Sequence, residues 1–301
     1  MPTLIDFRRR IRSVKNTQQI TRAMKFVAAA RLRKAQERVL ASRPYARQIL
    51  RVLRSASGRM EQVAHPLLTR PEGPEKKPLV IIISADRGLC GAFNTNVLRK
   101  TAEFLRANAD KKIELVAVGR RARDAMRRTR LPLKAEMVNV TMNVKFSDAQ
   151  ELAALAVEAF TGGEADAVYL IYNEFKNVLV QRLVVWRLLP IEPEVVTGPR
   201  REGAAEPAHI AGQAAEVDYI YEQPPKEIFD RLVPRYVDTE VFRALLESSA
   251  AEHAARMTAM DAATNNASEL IDSLTLHMNK VRQAAITKEI IEVVSGAASA
   301  G

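Results

Sequence analysis

A repeat of apolar residues at alternating spacings of three and four runs through the first 60 residues of the chain. Its average step of about 3.5 residues is that of a left-handed coiled coil. Thirteen of the 17 positions in this seam are apolar: Leu4, Phe7, Ile11, Val14, Ala28, Leu32, Ala35, Val39, Ala46, Ile49, Leu53, Ala56 and Met60. A helix with such a seam must bury it against a partner. The repeat therefore predicts one long helix over residues 1–60.

The seam is interrupted in one place by the polar residues Gln18, Thr21 and Lys25. An adjacent apolar stripe replaces it there, formed by Ile20, Met24 and Val27. The apolar face therefore rotates around the helix in this turn, as it would if the turn met a partner other than the second helix of the pair.

A weaker repeat of the same kind covers the end of the chain and predicts a second long helix over residues 226–301. Polar residues interrupt it at several positions, among them His253, Arg256 and His277. No glycine lies between Gly212 and Gly296, and no proline follows Pro234, so little in this stretch would break a helix. Because the two helices flank one folded block, we expect them to pair in antiparallel orientation.

The net charge of +11 is concentrated at the N-terminus. Residues 1–60 contain 16 lysines and arginines but only two acidic residues, Asp6 and Glu37. Nucleic-acid binding is an obvious use for such a helix, but its basic residues spread over most faces outside the seam and aromatic residues are scarce. We favour a basic surface that faces acidic protein surfaces.

The middle of the chain alternates strand and helix patterns. Short apolar runs predict strands over residues 79–84, 113–119, 167–172 and 178–186, and helices over 94–107, 121–128 and 147–160. Ser147 and Gln150 have the spacing of a capping box. We therefore predict an α/β fold with long terminal helices: an antiparallel left-handed coiled coil plus a central Rossmann-like α/β domain over residues 78–190, followed by a loop over 191–225.

Catalytic patterns are weak in this sequence. The loop at residues 84–91 (SADRGLCG) follows a strand and opens a helix, where a phosphate could bind, but it has neither the G-x-G-x-x-G spacing nor a Walker lysine. We favour a structural turn over a ligand site. The single cysteine, Cys90, is expected to be a buried thiol, and the four histidines lack metal-ligand spacing. We expect no catalytic residue, cofactor or metal.

Four blocks resemble the gamma subunit of rotary, proton-translocating ATP synthase of bacterial type. They are residues 11–36 (IRSVKNTQQITRAMKFVAAARLRKAQ), 84–96 (SADRGLCGAFNTN), 252–267 (EHAARMTAMDAATNNA) and 279–296 (NKVRQAAITKEIIEVVSG). They occur in both terminal helices and in the central block, in the order of the family. Members of the chloroplast type carry an inserted cysteine pair that this chain, with Cys90 alone, lacks.

The resemblance implies a central rotor stalk. Such a stalk transmits torque from the proton-driven c-ring to the catalytic beta subunits and has no active site of its own. The implied partners are the alpha and beta subunits of the head, the epsilon subunit and the c-ring, with no nucleic acid. The implied location is peripheral, on the cytoplasmic side of the cell membrane. The alternatives are a soluble coiled-coil adaptor, a nucleic-acid-associated protein, or a nucleotide-using enzyme built on the central block.

The same resemblance implies residues that contact the stator. They are Met24 and Lys25 in the rotated turn and, in the C-terminal helix, Arg256, Arg282, Gln283, Thr287 and Glu289. Lys288 stands where relatives commonly carry glutamine, and it is not among the residues to which the resemblance assigns a contact.

Overall fold

In a computed structural model of the protein, the described residues are 3–60, 63–71, 73–129, 131–197, 219 and 221–299. Two long helices lie at the ends of the chain: α1 over Leu4–Ser57 and α6 over Pro225–Ser299. Between them lies a sheet domain. The chain divides into two compact units, one of residues 1–30 and 256–301 and the other of residues 31–255. The α/β fold with long terminal helices is confirmed.

The first unit contains the antiparallel pair that the sequence predicts. The ring of Phe7 lies 5.2 Å from that of His277, and the hydroxyls of Thr21 and Thr264 lie 2.8 Å apart. Residue numbers rise on α1 as they fall on α6, so the two helices run in opposite directions. All 17 seam positions of residues 1–60 are buried or partly buried.

The seam of α6 is covered over only part of its length. It is buried at Met260 and Ala267 but exposed at Leu270 and from residue 284 onward. In the antiparallel register Leu4 lies opposite Val281, so the later turns of α6 extend past the start of α1.

The second unit contains a five-stranded sheet with strand order β3-β2-β1-β4-β5. The strands are β1 (Pro78–Ile83), β2 (Glu114–Val118), β3 (Leu133–Met137), β4 (Ala167–Phe175) and β5 (Gln181–Leu189). The helices are α2 (Phe93–Ala107), α3 (Arg120–Met126), α4 (Phe146–Thr161) and α5 (Pro193–Thr197). All neighbouring strands are parallel except β4 and β5, which form an antiparallel pair. The mostly parallel sheet is confirmed.

Both faces of the sheet are covered. Val80, Ile82 and Leu115 pack on one face with Val97 of α2 and Met126 of α3. Alternation along β4 and β5 directs Tyr172 and Trp186 to the other face, where α6 lies. The fully buried central strand β1 is what a parallel sheet with two covered faces requires.

Several local predictions were wrong. The sequence analysis placed no strand at β3, whose alternating exposure in Leu133–Met137 shows it as an edge strand with one solvated face. The last predicted strand, 178–186, begins too early, because Asn177 forms a turn by accepting hydrogen bonds from the backbone N–H groups of Leu179 and Val180. Residues 193–197, placed in the loop 191–225, form α5; residues 198–218 and 220 lie outside the described residues.

The capping box at Ser147 and Gln150 was also wrong. Helix α4 begins at Phe146, one residue before Ser147, and its N-terminal hydrogen bond joins the backbone N–H of Lys145 to the carboxylate of Asp148 at 2.8 Å. The acidic residue Asp148 therefore takes the role that the sequence analysis gave to the amide of Gln150.

Candidate functional site

The rotated turn of α1 carries an apolar stripe that is not buried in this chain. Ile20 and Val27 keep 61% and 52% of their surface exposed, and Met24 between them is half-buried. Spacings of four and three residues place the three side chains on one side of the helix, beside the seam. An apolar stripe exposed beside a well-packed seam is typical of a surface that meets another protein.

Lys25 occupies the seam next to this stripe and pairs with α6. Its ammonium lies 2.5 Å from a carboxylate oxygen of Asp261, and both side chains are partly exposed. One turn away, Thr21 and Thr264 share a hydroxyl hydrogen bond. These two polar contacts fill the stretch where the apolar seam is interrupted. Sequence reasoning did not identify Asp261 as the partner of Lys25.

Four of the predicted contact residues lie close together near the end of α6. Arg282, Gln283, Thr287 and Glu289 are all exposed, and at about 100° per residue they fall within one half of the helix surface. The hydroxyl of Thr287 donates to the backbone carbonyl of Gln283 at 2.9 Å, as in many exposed helices.

Apolar residues share this half of the helix. Ile286, Ile290, Val293 and Val294 project from it, with exposed fractions from 48% to 72%. A helix face that only meets water would not combine so many exposed branched aliphatic residues with polar ones. Sequence reasoning named the polar residues of this surface and missed its apolar ones, although their spacing of three and four residues was visible.

Arg256 differs from the other predicted contact residues because it is buried, with 9% of its surface exposed. It has interactions within the chain. A contact with another protein through Arg256 would therefore use only a small part of its side chain.

The loop at residues 84–91 is closed by its own side chains. The hydroxyl of Ser84 accepts the backbone N–H of Ala122 at 2.7 Å. The carboxylate of Asp86 accepts the N–H groups of Arg120 and Asn139 and the hydroxyl of Thr141. These bonds tie the carboxyl ends of β1, β2 and β3 together, and they support the structural turn that the sequence analysis favoured.

Cys90 lies inside this turn, with 1% of its surface exposed, so the prediction of a buried thiol is confirmed. The side-chain amide of Asn94 lies 3.1 Å from its sulfur, and the carbonyl oxygen of the same amide accepts the N–H of Ala85 at 3.0 Å. Leu89 and Gly91 adopt positive φ angles of 60° and 56°, which give the turn its tight path.

A buried ionic cluster on α6 escaped the sequence analysis. The guanidinium of Arg243 lies 2.8 Å from a carboxylate oxygen of Glu240 and 3.2 Å from one of Glu247, and at most 3% of each side chain is exposed. Charged residues at spacings of three and four inside an Ala- and Leu-rich segment were the signal that could have revealed it.

The carboxyl of Glu247 is perturbed by its place in this cluster. Burial raises its pKa to about 7. Attraction to Arg243 and Arg43 opposes this rise, and repulsion from Glu174 and Glu240 adds to it. The carboxylates of Glu240 and Glu247 hold the pKa of Arg243 above its ordinary value although burial alone would lower it. The cluster thus contains one carboxyl that binds a proton near neutral pH.

No group of three or more His, Cys, Asp or Glu side chains among the described residues could hold a metal ion. No described helix is long and apolar enough to cross a membrane.

Comparison with known proteins decides the family. The family model described as ATP synthase matches residues 3–300. The ATP synthase gamma chain of Solibacter usitatus (strain Ellin6076) is 50% identical over 304 residues, which cover all of both chains. The chain belongs to the ATP synthase gamma chain family. The gamma chain of Pelotomaculum thermopropionicum is 46% identical over 99% of both chains.

Solved structures agree with this family. The central stalk/c-ring structure of the Tetrahymena thermophila mitochondrial ATP synthase contains a chain that is 26% identical. The match covers 81% of this chain and 99% of that one, with a TM-score of 0.56. A chain of the Euglena gracilis mitochondrial ATP synthase rotor shares the fold at 23% identity, over 94% and 98% of the two chains, with a TM-score of 0.63. These relatives and solved structures do not support the alternative roles of a soluble coiled-coil adaptor or a nucleic-acid-associated protein.

Proposed function

We propose that this chain is the central rotor stalk of an ATP synthase. It transmits torque from a proton-driven c-ring to catalytic beta subunits and contributes no active site of its own. Its partners are the alpha and beta subunits of the head, the epsilon subunit and the c-ring. The similar chain from Tetrahymena belongs to a structure of the central stalk together with the c-ring, and this supports the assignment.

The single observation that carries the proposal is the antiparallel pairing of α1 and α6 in a chain of this family. A lone helix bends and frays, whereas two helices that share a buried seam resist both bending and twisting. The contacts Phe7–His277, Thr21–Thr264 and Lys25–Asp261 hold this pair in register. A shaft that must carry torque needs this resistance.

The contacts with the stator form two surfaces in this proposal. One is the stripe of Ile20, Met24 and Val27, with Lys25 beside it. The other is the exposed half of α6 that carries Arg282, Gln283, Thr287 and Glu289. Arg256 contributes through the small part of its side chain that is exposed. Exposed polar and ionic contacts are individually weak, so they can be exchanged as the shaft turns.

The chain acts at the cytoplasmic side of the cell membrane as a peripheral component. It joins the membrane through the c-ring, and its basic α1 surface meets acidic surfaces of the head. Since this role needs no binding to nucleic acid, the positive charge of residues 1–60 has a use in protein contacts alone.

Copurification with the head tests the proposal. The tagged chain is expressed with the alpha and beta subunits of an ATP synthase, and the stoichiometry of the purified complex is measured by native mass spectrometry. We expect one copy per head and ATP hydrolysis only in the complex. A chain that purifies alone and binds duplex DNA with a steep dependence on salt would contradict the proposal and favour the nucleic-acid alternative.

A further inference from the structure

Arg243 is held rigidly by its own helix. Glu240 and Glu247, one turn before and one turn after it, approach two different nitrogens of its guanidinium. A planar guanidinium with two fixed carboxylates has one orientation, because each of them uses a different side of its hydrogen-bonding fork. All three side chains are almost completely buried.

This rigid side chain is directed at the sheet. Its guanidinium carbon lies 5.8 Å from the centre of the Trp186 ring on β5. Tyr172, fully buried on the neighbouring strand β4, lies on the same sheet face. A cation over an aromatic face prefers a position near the ring axis, so this contact restricts rotation of α6 about its own axis.

A second set of contacts restricts α6 from another direction. The hydroxyl of Ser249 donates to the backbone carbonyl of Thr141 at 2.7 Å, and the ring of Phe242 meets that of Phe146 edge-on at 5.3 Å. Phe242 and Ser249 are seven residues apart and lie on one side of the helix. Arg243 projects about 100–120° away from them around the helix axis.

The apolar packing of this segment is uneven around the helix, and its large buried side chains, Val241, Leu245 and Leu246, also oppose rotation. Other buried positions carry small residues, Ala244, Ala250, Ala251 and Ala254, which present similar surfaces on several sides of the helix. Burial of small side chains changes little when a helix rotates by a fraction of a turn. A buried ionic group has a large desolvation penalty and often adds no stability over an apolar replacement, but it can specify one arrangement.

We infer that Arg243 is a positioning residue that fixes the rotational setting of α6 against the sheet, so that torque applied to the sheet domain turns the helix without slip. The inference rests on the proposed function. Because α6 is one helix from Pro225 to Ser299, a rotational setting fixed at Arg243 is passed along the helix to its later turns.

The test replaces the whole cluster with apolar residues of similar size in the assembled complex. The triple variant Glu240→Leu/Arg243→Met/Glu247→Leu removes the guanidinium together with both of its carboxylates, so its melting temperature is expected to equal or exceed that of the wild type. The matched control is Lys100→Met/Glu103→Leu, which removes an exposed ion pair from α2.

The first measurement is the number of protons pumped per ATP hydrolysed in membrane vesicles. The second is the angular width of the rotor's pauses, which is the spread of positions of a bead attached to the sheet domain. We expect the triple variant to hydrolyse ATP normally but to pump about half as many protons per ATP, with a broader angular distribution. The control should match the wild type in both. A stable triple variant with wild-type pumping and angular width would overturn the inference.

Arg243→Lys covers the case in which the triple variant does not assemble. Lysine keeps the positive charge but lacks the two guanidinium nitrogens that face the two carboxylates. The number of protons pumped per ATP should therefore again fall. Wild-type pumping in Arg243→Lys would overturn the inference. A wild-type chain that shows no rotation at all would contradict the proposed function instead, so the two failures can be told apart.

Discussion

The ammonium of Lys25 and the carboxylate of Asp261 lie 2.5 Å apart, and they join α1 to α6 at the place where the apolar seam of α1 is interrupted. Lys25 therefore serves the helix pair, and the apolar residues beside it are left for another partner. The sequence shows the apolar face rotating around α1 at Gln18, Thr21 and Lys25. In the structure, the apolar residues of this turn accordingly lie beside the helix pair and stay exposed.

Removing the charge of Asp261 should have a small effect on stability. In Asp261→Asn the ion pair is lost, but both side chains are partly exposed and solvent screens them, so the loss should be less than about 1 kcal/mol. The melting temperature of the full chain measures it. A loss several times larger would show that the pair is a major support of the two-helix unit.

Adding a charge at Met24 should uncouple the enzyme. Met24→Glu places a carboxylate in the apolar stripe beside Ile20 and Val27, where a partner surface would have to desolvate it. ATP-driven proton pumping should fall several-fold more than ATP hydrolysis does. Met24→Leu, which conserves the apolar character, is the control. Equal loss of both activities, with a lowered melting temperature, would instead mean that Met24 supports the helix pair.

Alanine substitutions near the end of α6 should slow turnover without disturbing the helix. Arg282→Ala or Gln283→Ala removes an exposed polar contact, so the helicity of the isolated chain should stay unchanged while rotation-coupled ATP turnover falls by about 2- to 10-fold. Lys288→Ala, on the opposite side of the same turns, should leave turnover unchanged. Wild-type turnover in both variants would show that this surface only meets solvent.

The Cys90 thiol should be neither catalytic nor a redox switch. It is buried in the turn beside Asn94, and there is no second cysteine for it to pair with. Cys90→Ser should leave ATP synthesis and its response to reducing agents unchanged. In the native chain a maleimide should label Cys90 far more slowly than the thiol of Leu179→Cys, at a position that is 84% exposed. An activity change on reduction that disappears in Cys90→Ser would contradict this.

Protonation of Glu247 should make stability depend on pH. Its carboxyl ionises near pH 4.5 in the unfolded chain and near pH 7 in the folded one, so the folded state binds the proton more tightly. The resulting stability, about 3 kcal/mol at most, is complete below the lower value and is lost as the pH rises through the higher one.

The melting temperature from pH 5 to 8 measures this effect. It should fall with rising pH in the wild type and change less in Glu247→Gln. Glu103→Gln, which alters an exposed carboxylate on α2, should behave as the wild type. A wild-type melting temperature that runs parallel to that of Glu247→Gln over this interval would contradict the prediction, because it would mean that Glu247 is ionised in the folded state at all these pH values.

The long-range features of the fold could be predicted because they depend on repeated patterns. Sixteen seam positions at a regular spacing define the packed side of α1 regardless of any single residue. The apolar runs at residues 79–84 and 113–119 identify strands buried on both faces. The edge strand β3 could not be found in this way. Its five residues alternate Leu133-Lys134-Ala135-Glu136-Met137, which is too short a pattern to separate from a loop.

Single contacts between distant residues were also beyond prediction. The pairing of Lys25 with Asp261 depends on the register of two helices whose residues are 236 positions apart. The burial of Arg243 depends on a sheet face that only the tertiary structure provides. By contrast, Arg282 and Gln283 were predicted from the resemblance to a family. The exposed apolar residues beside them were identified only from the burial of each side chain in the structure.

Rotation of this chain inside a catalytic head is the direct test of its role as a rotor stalk. A Cys90→Ser/Leu179→Cys chain is assembled with alpha and beta subunits, a bead is attached to the exposed thiol at the tip of the β4–β5 hairpin, and single complexes are observed with ATP. We expect stepwise rotation of the bead in one direction that stops when ATP is withdrawn. A head that hydrolyses ATP at its normal rate while the bead stays fixed would contradict it.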